Sequence, residues 1–166
     1  MYRTALASLL LVAACGGSSA RPTPTPPTPT VWKEMNAEQR KKFMEDVVMP
    51  KMKDVFTKFD AKYADMNCKT CHGAGADDGS FEMPNPDIAP LPNTPEAFQA
   101  KVAADAEWQR FTPFMVQQVE PAMGELLHLT PFDPKTMTGE FGCANCHTLV
   151  DAQGNRAAGP GDKHEE

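Results

Sequence analysis

The sequence predicts an all-α protein built from a duplicated unit, in which a methionine-bearing helix, a loop and a short Cys-x-x-Cys-His helix follow one another. Three observations predict this fold. Apolar residues recur at helical spacing in two long stretches. The two stretches match at an offset of 71 residues, which pairs Phe43 with Phe114. Each stretch is followed by one Cys-x-x-Cys-His motif. The segments between these elements are rich in Gly, Pro, Asp and Asn, so we expect long irregular loops.

The first 30 residues are predicted to lie outside the folded domain. Residues 1–14 have an early Arg3, an apolar run and then small residues, which is typical of an export signal and is too short to span a bilayer. Cys15 follows in Val-Ala-Ala-Cys-Gly, which resembles the lipobox of bacterial lipoproteins and implies that Cys15 is lipidated. The alternative is a soluble secreted protein in which Cys15 is incidental. Residues 15–30 contain a run of alternating Pro and Thr after Arg21, and this composition predicts an extended spacer.

The folded domain is predicted over residues 31–150, and it begins with an amphipathic helix. Asn36 and Gln39 have the pattern of a capping box. Apolar residues then recur at helical spacing to about Tyr63. Pro50 lies inside this stretch, so we expect the helix to be bent or interrupted there.

Each Cys-x-x-Cys-His motif is the signature of covalent c-type haem attachment. On a helical turn, residues three and four apart share a face, so both cysteines and the histidine can address one porphyrin. We therefore predict two covalently bound haem c groups, held by thioethers and histidine–iron bonds from Cys68, Cys71, His72, Cys143, Cys146 and His147. A four-thiolate zinc site is the alternative, but it gives no reason for a histidine after each second cysteine. Lipidation of one cysteine and haem on four would leave none of the five for a disulfide.

The remaining stretches predict two more helices and several loops. Thr94-Pro95-Glu96 is typical of a helix start, with a cap, a proline and an acid in the first turn. We predict helices over about 94–104 and about 112–127, irregular structure over 73–93 and 130–142, and a disordered tail over 151–166. A loop as long as 73–93 is uncommon unless it has a function, and we expect it to wrap the edge of a haem.

The repeated methionines are the candidates for the second axial ligand of each iron. At the offset of 71, Met44 pairs with Met115 and Met52 with Met123, each on the apolar stripe of its helix. The thioether is a soft ligand, and His/Met ligation raises the reduction potential of haem iron. Pro121, like Pro50 in the first copy, precedes its methionine by two residues, so each proline could bend the helix and aim that methionine.

We predict Met52 and Met123 as the sixth ligands, with Met44 and Met115 next and Met137 third. The alternative is that these methionines only fill the core, as methionines on apolar stripes usually do. His128 lies about 140° round the helix from Met123 by the 3.6-residue period, so we expect it to be solvated.

The chain resembles the haem-binding units of the cytochrome subunit of bacterial photosynthetic reaction centres. Those units run from a methionine-bearing helix through a turn to a Cys-x-x-Cys-His helix, and residues of about 36–73 and 107–149 follow that order here. The resemblance implies the same haem-binding architecture, with haem attached outside the cytoplasm. This chain has two such units rather than four and shows no sign of a photosynthetic partner, so only the architecture is carried over.

Two six-coordinate irons would leave no substrate site, so the sequence predicts an electron carrier rather than an enzyme. We expect it to be exported, lipid-anchored on the periplasmic side of a bacterial membrane or at the cell surface, and to exchange single electrons with redox proteins. The formal charge is −6, or −7 without Arg3, which makes nucleic acid an unexpected partner. The alternatives are a di-haem peroxidase or small-molecule reductase with one open haem site, and a zinc-stabilised binding lipoprotein.

Overall fold

The computed structural model describes residues 31–133, 135–136 and 138–157 of this chain. The predicted signal, Cys15, the spacer and Met137 lie outside these residues. Within them, the α-helices are α1 (Ala37–Phe43), α2 (Met49–Phe59), α3 (Cys68–His72), α4 (Gly75–Asp78), α5 (Pro95–Ala104), α6 (Ala106–Phe114) and α7 (Glu120–Leu127). The shorter elements are 3-10 turns at Trp32–Glu34, Ala61–Asp65 and Cys143–Asn145, π-helical segments at Met44–Val48 and Met115–Val119, and strands β1 (Leu91–Pro92) and β2 (Leu149–Val150). The fold is mostly helical, as predicted. None of the helices described is both long and apolar enough to cross a membrane.

The first long helix consists of α1, a π-helical segment and α2, and we call it the first composite helix. Asn36 begins it as predicted, because its side chain accepts from the Gln39 N–H and the Gln39 side chain accepts from the Asn36 N–H, both at 2.9 Å. It ends at Phe59 rather than near Tyr63. Asp60 has extended backbone and accepts from the Lys62 N–H, so it caps a separate 3-10 turn.

The second composite helix consists of α6, a π-helical segment and α7, and it starts earlier than predicted. We expected a start near Thr112, but the helix begins at Ala106. Asp105 is the reason, because its Oδ1 accepts from the N–H groups of Glu107 at 3.0 Å and Trp108 at 3.4 Å. The end at Leu127 agrees with the prediction, and His128 terminates the helix with a φ of 53°.

A π-helical segment precedes the proline in both composite helices. The Met49 N–H donates to the Met44 carbonyl, and the Glu120 N–H donates to the Met115 carbonyl, each five residues back. Pro50 and Pro121 come directly afterwards. Proline lacks an N–H and crowds the carbonyl four residues earlier, and a wider turn is one way for a helix to pass such a site. The chain therefore stays helical through Pro50 instead of being interrupted.

The π-helical segments also align the methionines. Met44 and Met52 are eight residues apart, which in a regular α-helix would turn them about 80° from one another. A π turn accommodates one extra residue, so the pair behaves as if seven residues apart, or about 20° from alignment. Both methionines accordingly pack against the same core. Met115 and Met123 have the same relation in the second composite helix.

The two composite helices share one hydrophobic core. The Phe114 ring stacks on Phe59 with centroids 3.9 Å apart and meets Phe56 edge-on at 5.0 Å. The buried hydrophobic side chains of the described residues are Val48, Met52, Phe56, Met66, Phe114, Leu127 and Phe141. Both halves of the predicted repeat contribute to this set, so neither half has a separate core.

An ion pair at the surface joins the residue that follows the first composite helix to the second composite helix. Arg110 Nη2 lies 2.6 Å from Asp60 Oδ2, and this contact and the Lys62 N–H lower the pKa of Asp60 below its ordinary value of 3.8. A carboxyl group with a lowered pKa stabilises the fold above its ordinary pKa and loses this effect as the pH falls through the folded value.

We expect Asp60→Asn to lower the melting temperature at neutral pH, with the difference from the wild type disappearing as the pH falls below about 3.8. Thermal melts of both proteins between pH 7 and pH 2 measure this. Asp54→Asn is the matched control, because Asp54 pairs with Lys58 on its own helix and is exposed, and such pairs contribute little. An Asp60→Asn effect that stays constant over the whole pH range would contradict the ion pair.

The loop and tail predictions need correction. Residues 73–93 are not wholly irregular, since they contain α4 and β1, and β1 pairs in parallel with β2 through Leu91 and Leu149. The predicted disordered tail is wrong for residues 151–157. There the Asp151 carboxylate accepts from the N–H of Asn155 at 2.8 Å, and the Ala157 N–H donates to the Leu149 carbonyl at 2.8 Å.

Candidate cofactor-binding site

The first Cys-x-x-Cys-His motif forms the short helix α3, as predicted. Asn67 begins this helix, because its Oδ1 accepts from the Lys69 N–H at 3.0 Å and its own N–H donates to Thr70 Oγ1 at 3.2 Å. Gly73 ends it with a φ of 54°, a conformation that favours glycine. The helix therefore places the two cysteines and the histidine on one face, because Cys71 and His72 follow Cys68 by three and four residues.

The second motif is only a single 3-10 turn, Cys143–Asn145, so the predicted α-helix is wrong there. Gly142 has extended backbone before the turn, and the Gly142 N–H donates to Asn145 Oδ1 at 2.7 Å. The His147 N–H still donates to the Cys143 carbonyl at 2.9 Å. The chain then enters β2, whose pairing with β1 favours extended backbone and prevents a second helical turn.

His147 is held in one tautomer. Its Nδ1 lies 2.8 Å from the Ala89 carbonyl oxygen, and because a carbonyl can only accept, Nδ1 must donate. The lone pair therefore lies on Nε2, the atom that metal-binding histidines commonly use when Nδ1 bonds a backbone carbonyl. Burial lowers the pKa of His147, with the Ala89 backbone opposing the shift, so the ring is neutral at pH 7.

His72 has a different environment. Its Nδ1 is buried and has no partner in hydrogen-bonding geometry among the described residues. Burial lowers the pKa of His72, although the Phe81 backbone lies near enough to oppose this shift. The Phe81 ring stands edge-on to the imidazole, with centroids 5.4 Å apart. Buried polar side-chain atoms are rarely left without a partner in folded proteins, so His72 differs from His147 in this respect.

An apolar cavity lies beside the second motif. Its volume is about 280 Å³. Three residues of the motif line it together with two methionines of the second composite helix: Cys143, Cys146, His147, Met115 and Met123. Most of the remaining lining is apolar, and it includes the rings of Phe98, Trp108, Phe111 and Phe141; the polar side chains in the lining are Glu107, Thr112 and Glu120. The structure therefore brings all the predicted ligands of the second haem to one cavity.

The predicted ligands of the first haem lie elsewhere. Met52 is only 3% exposed and is part of the core. Met44 and Cys71 pack against that core, but the lining of the cavity includes neither Met52 nor any residue of the first motif. His128 is exposed, as predicted.

The four described cysteines are free thiols: Cys68, Cys71, Cys143 and Cys146. In the haem hypothesis, their sulfur atoms would form the thioether bonds. Burial raises the pKa of Cys71 to about 11, and burial with the neighbouring Cys71, Cys143 and Glu120 raises the pKa of Cys146 to about 12. Within the part of the chain that the structure covers, no three His, Cys, Asp or Glu side chains converge in a way that could hold a metal ion.

The end of the first motif is packed against the loop that follows it. A Cβ atom at Gly73 would lie 2.3 Å from Asp87 Oδ2 and 2.9 Å from Asn85 Oδ1. Asp87 Oδ2 itself accepts the Ala74 N–H at 2.9 Å. Gly73 is therefore required both by its positive φ and by this close approach.

We expect Gly73→Ala to destabilise the protein by about 1–3 kcal/mol, because it adds backbone strain and a steric overlap. Chemical denaturation measures this. Gly79→Ala is the matched control, since Gly79 also has a positive φ of 79° but has nothing within 4 Å of a Cβ atom. If both substitutions cost the same, the packing of residues 85–87 on the motif would be contradicted.

Sequence reasoning missed several residues that build this region. Asp105 and Trp108 belong to a helical start that we placed later. Ala89 and Leu91, which line the cavity, belong to a segment that we predicted to be irregular. Asn85, the most buried polar residue among those that the structure describes, was missed as well. Asp105 before Ala-Glu could have been recognised as an N-cap, whereas Asn85 in a Pro-rich stretch gives no sequence signal beyond that of a turn.

Comparison of the chain with protein-family models, curated proteins and solved structures finds no match.

Proposed function

We propose that this chain is a membrane-anchored di-haem c-type cytochrome that carries single electrons between redox proteins. The observation that carries the proposal is the cavity at the second motif, where Cys143, Cys146 and His147 meet Met115 and Met123. Two thiols, an imidazole with a free Nε2 and a thioether around one apolar cavity are the donor set of a covalently attached haem with His/Met ligation.

The cysteines and the histidine of each motif are the residue types that covalent haem attachment requires. Haem, when bound, supplies a reversible one-electron couple at its iron. Cys68 and Cys71 would hold the first haem and Cys143 and Cys146 the second, each through thioether bonds. His72 and His147 would bind the irons. The Ala89 carbonyl fixes the His147 tautomer for this task, whereas the Nδ1 of His72 has no such partner among the described residues.

Met52 and Met123 remain our proposed sixth ligands, and the duplicated haem unit remains part of the proposal. Two features support the duplication: the π-helical segments lie at the same offset of 71 as the methionines and prolines, and both composite helices present their methionines to one core. The resemblance to the units of the reaction-centre cytochrome subunit agrees with this arrangement.

The charge distribution favours different partners for the two halves. Residues 31–73 contain nine Lys or Arg and seven Asp or Glu, whereas residues 74–157 contain four and twelve. Two of these acids, Glu107 and Glu120, line the cavity of the second motif. We propose that a redox protein with a basic docking surface approaches the second motif, since complementary charge speeds association.

The anchor and the compartment are also proposals. Cys15 would carry the lipid and the Pro/Thr-rich spacer would hold the domain away from the membrane surface, on the periplasmic side or at the cell surface. Incorporation of labelled fatty acid into the wild type but not into Cys15→Ser tests this point.

A redox titration followed by absorbance tests the carrier function. We expect a haem spectrum and two reversible one-electron transitions. A protein with no haem absorbance, matured in a host that assembles c-type cytochromes, would overturn the proposal.

The alternative is a di-haem peroxidase or reductase with one open haem site. One observation favours it, because Glu107 and Glu120 could meet a small polar molecule in the cavity. Carbon monoxide added to the reduced protein separates the two functions. A carrier with both axial positions filled shows no change in its spectrum, and an enzyme with an open site does.

A further inference from the structure

One buried asparagine lies between the two Cys-x-x-Cys-His motifs. Asn85 is 1% exposed and belongs to the segment between α4 and β1. Its side-chain Nδ2 donates to the Cys71 carbonyl at 2.8 Å. Its backbone N–H donates to the Cys146 carbonyl at 3.0 Å. A single residue therefore bonds the second cysteine of both motifs, one through its side chain and the other through its main chain.

The orientation of Asn85 is itself determined. Its Oδ1 accepts from the Asp87 N–H at 2.8 Å, so the amide nitrogen must face the Cys71 carbonyl and the amide oxygen must face Asp87. Nδ2 and Oδ1 thus each have a partner, as expected of a polar side chain at this depth.

Two residues that follow Asn85 also form hydrogen bonds to the two motif regions. Asp87 accepts from the Ala74 N–H, just after the first motif, and the Ala89 carbonyl accepts from His147 in the second. Asn85 also forms a parallel bridge with His147. The segment 85–89 consequently has two hydrogen bonds to each motif region and connects the two motifs.

We propose that Asn85 is a positioning residue that fixes the two motifs, and with them the two haems, relative to each other. This inference rests on the proposed function, because it requires haem on both motifs. Cys71 and Cys146 both pack against the shared core, and Asn85 bonds the carbonyl group of each. A change at Asn85 should therefore alter the surroundings of both haems at once.

The test compares three variants by redox titration. Asn85→Asp keeps the size of the side chain but replaces the Nδ2 donor with an acceptor facing the Cys71 carbonyl. Asn67→Ala removes a cap confined to the first motif, and Asn145→Ala removes a contact confined to the second turn. Two single-haem variants, Cys68→Ala with Cys71→Ala and Cys143→Ala with Cys146→Ala, assign each midpoint potential to its motif.

We expect Asn85→Asp to shift both midpoint potentials, and each control to shift only the potential of its own motif. If Asn85→Asp retains both haems and shifts one potential or neither, the inference is wrong while the cytochrome proposal stands. If the wild type contains no haem, the proposed function fails first.

Hydrogen exchange of the wild type provides a second test in case Asn85→Asp does not fold. The N–H groups of Asn85 and Asp87 should exchange as slowly as those of the buried helix residue Phe56. Exchange at the rate of exposed loop amides would overturn the positioning role.

Discussion

Replacing Met123 with leucine is expected to remove the methionine–iron charge-transfer band of one haem and to lower the midpoint potential of that haem. Leucine keeps most of the apolar volume and lacks the sulfur, so the packing changes little and the ligand is lost. Axial ligands set haem potentials over a range of about 0.8 V, and we expect a fall on the order of 0.1 V. The oxidised absorbance spectrum and a redox titration measure both effects.

Met52→Leu should likewise remove the charge-transfer band of the other haem and lower its midpoint potential. Met52 is 3% exposed in the core, where truncation to alanine would cost about 2–5 kcal/mol and confuse ligation with stability. Leucine reduces that cost to less than about 1.5 kcal/mol.

Met44→Leu and Met115→Leu are the matched controls, because these methionines share the faces of Met52 and Met123 and are expected to leave both bands intact. Met115 also lines the cavity of the second motif. If Met115→Leu removed the band and Met123→Leu did not, Met115 would be the ligand. If all four variants kept both bands, methionine ligation would be wrong.

Without haem, the chain is expected to lose most of its helical structure. Only seven hydrophobic side chains are buried among the described residues, and a cavity of about 280 Å³ lies beside the second motif. A small chain with so few buried side chains stabilises its fold poorly unless a cofactor completes the core. Circular dichroism of the protein produced without cytochrome maturation measures this.

A variant that can bind only one haem is the control for the predicted loss of helical structure. The variant Cys143→Ala with Cys146→Ala, which keeps only the first motif, should melt at a temperature below that of the two-haem protein. Cooperative unfolding of the haem-free chain with native helicity would show that the polypeptide alone stabilises the fold.

The features that could be predicted from sequence are those set by local chemistry. The Asn36 cap with Gln39, the helix α5 after Thr94 and the short helix α3 all depend on contacts within a few residues. The apolar stripe of the first composite helix was also visible, because burial follows helical spacing.

The features that were missed depend on contacts between distant segments. The second motif has the same residue pattern as the first, yet β1 pairs with the strand that follows it and limits it to one 3-10 turn. The π-helical segments were not predicted either, since a proline in a helix is compatible with a kink, a break or a widened turn. Asn85 became significant only when the fold placed it between two motifs 75 residues apart.

The most direct test of the central claim is the intact mass of the purified protein under denaturing conditions, together with its metal content. We expect the polypeptide mass increased by two covalently attached haem groups, with two iron atoms per chain and no zinc. A chain of unmodified polypeptide mass from a host that matures c-type cytochromes, or one that contains zinc without iron, would contradict it.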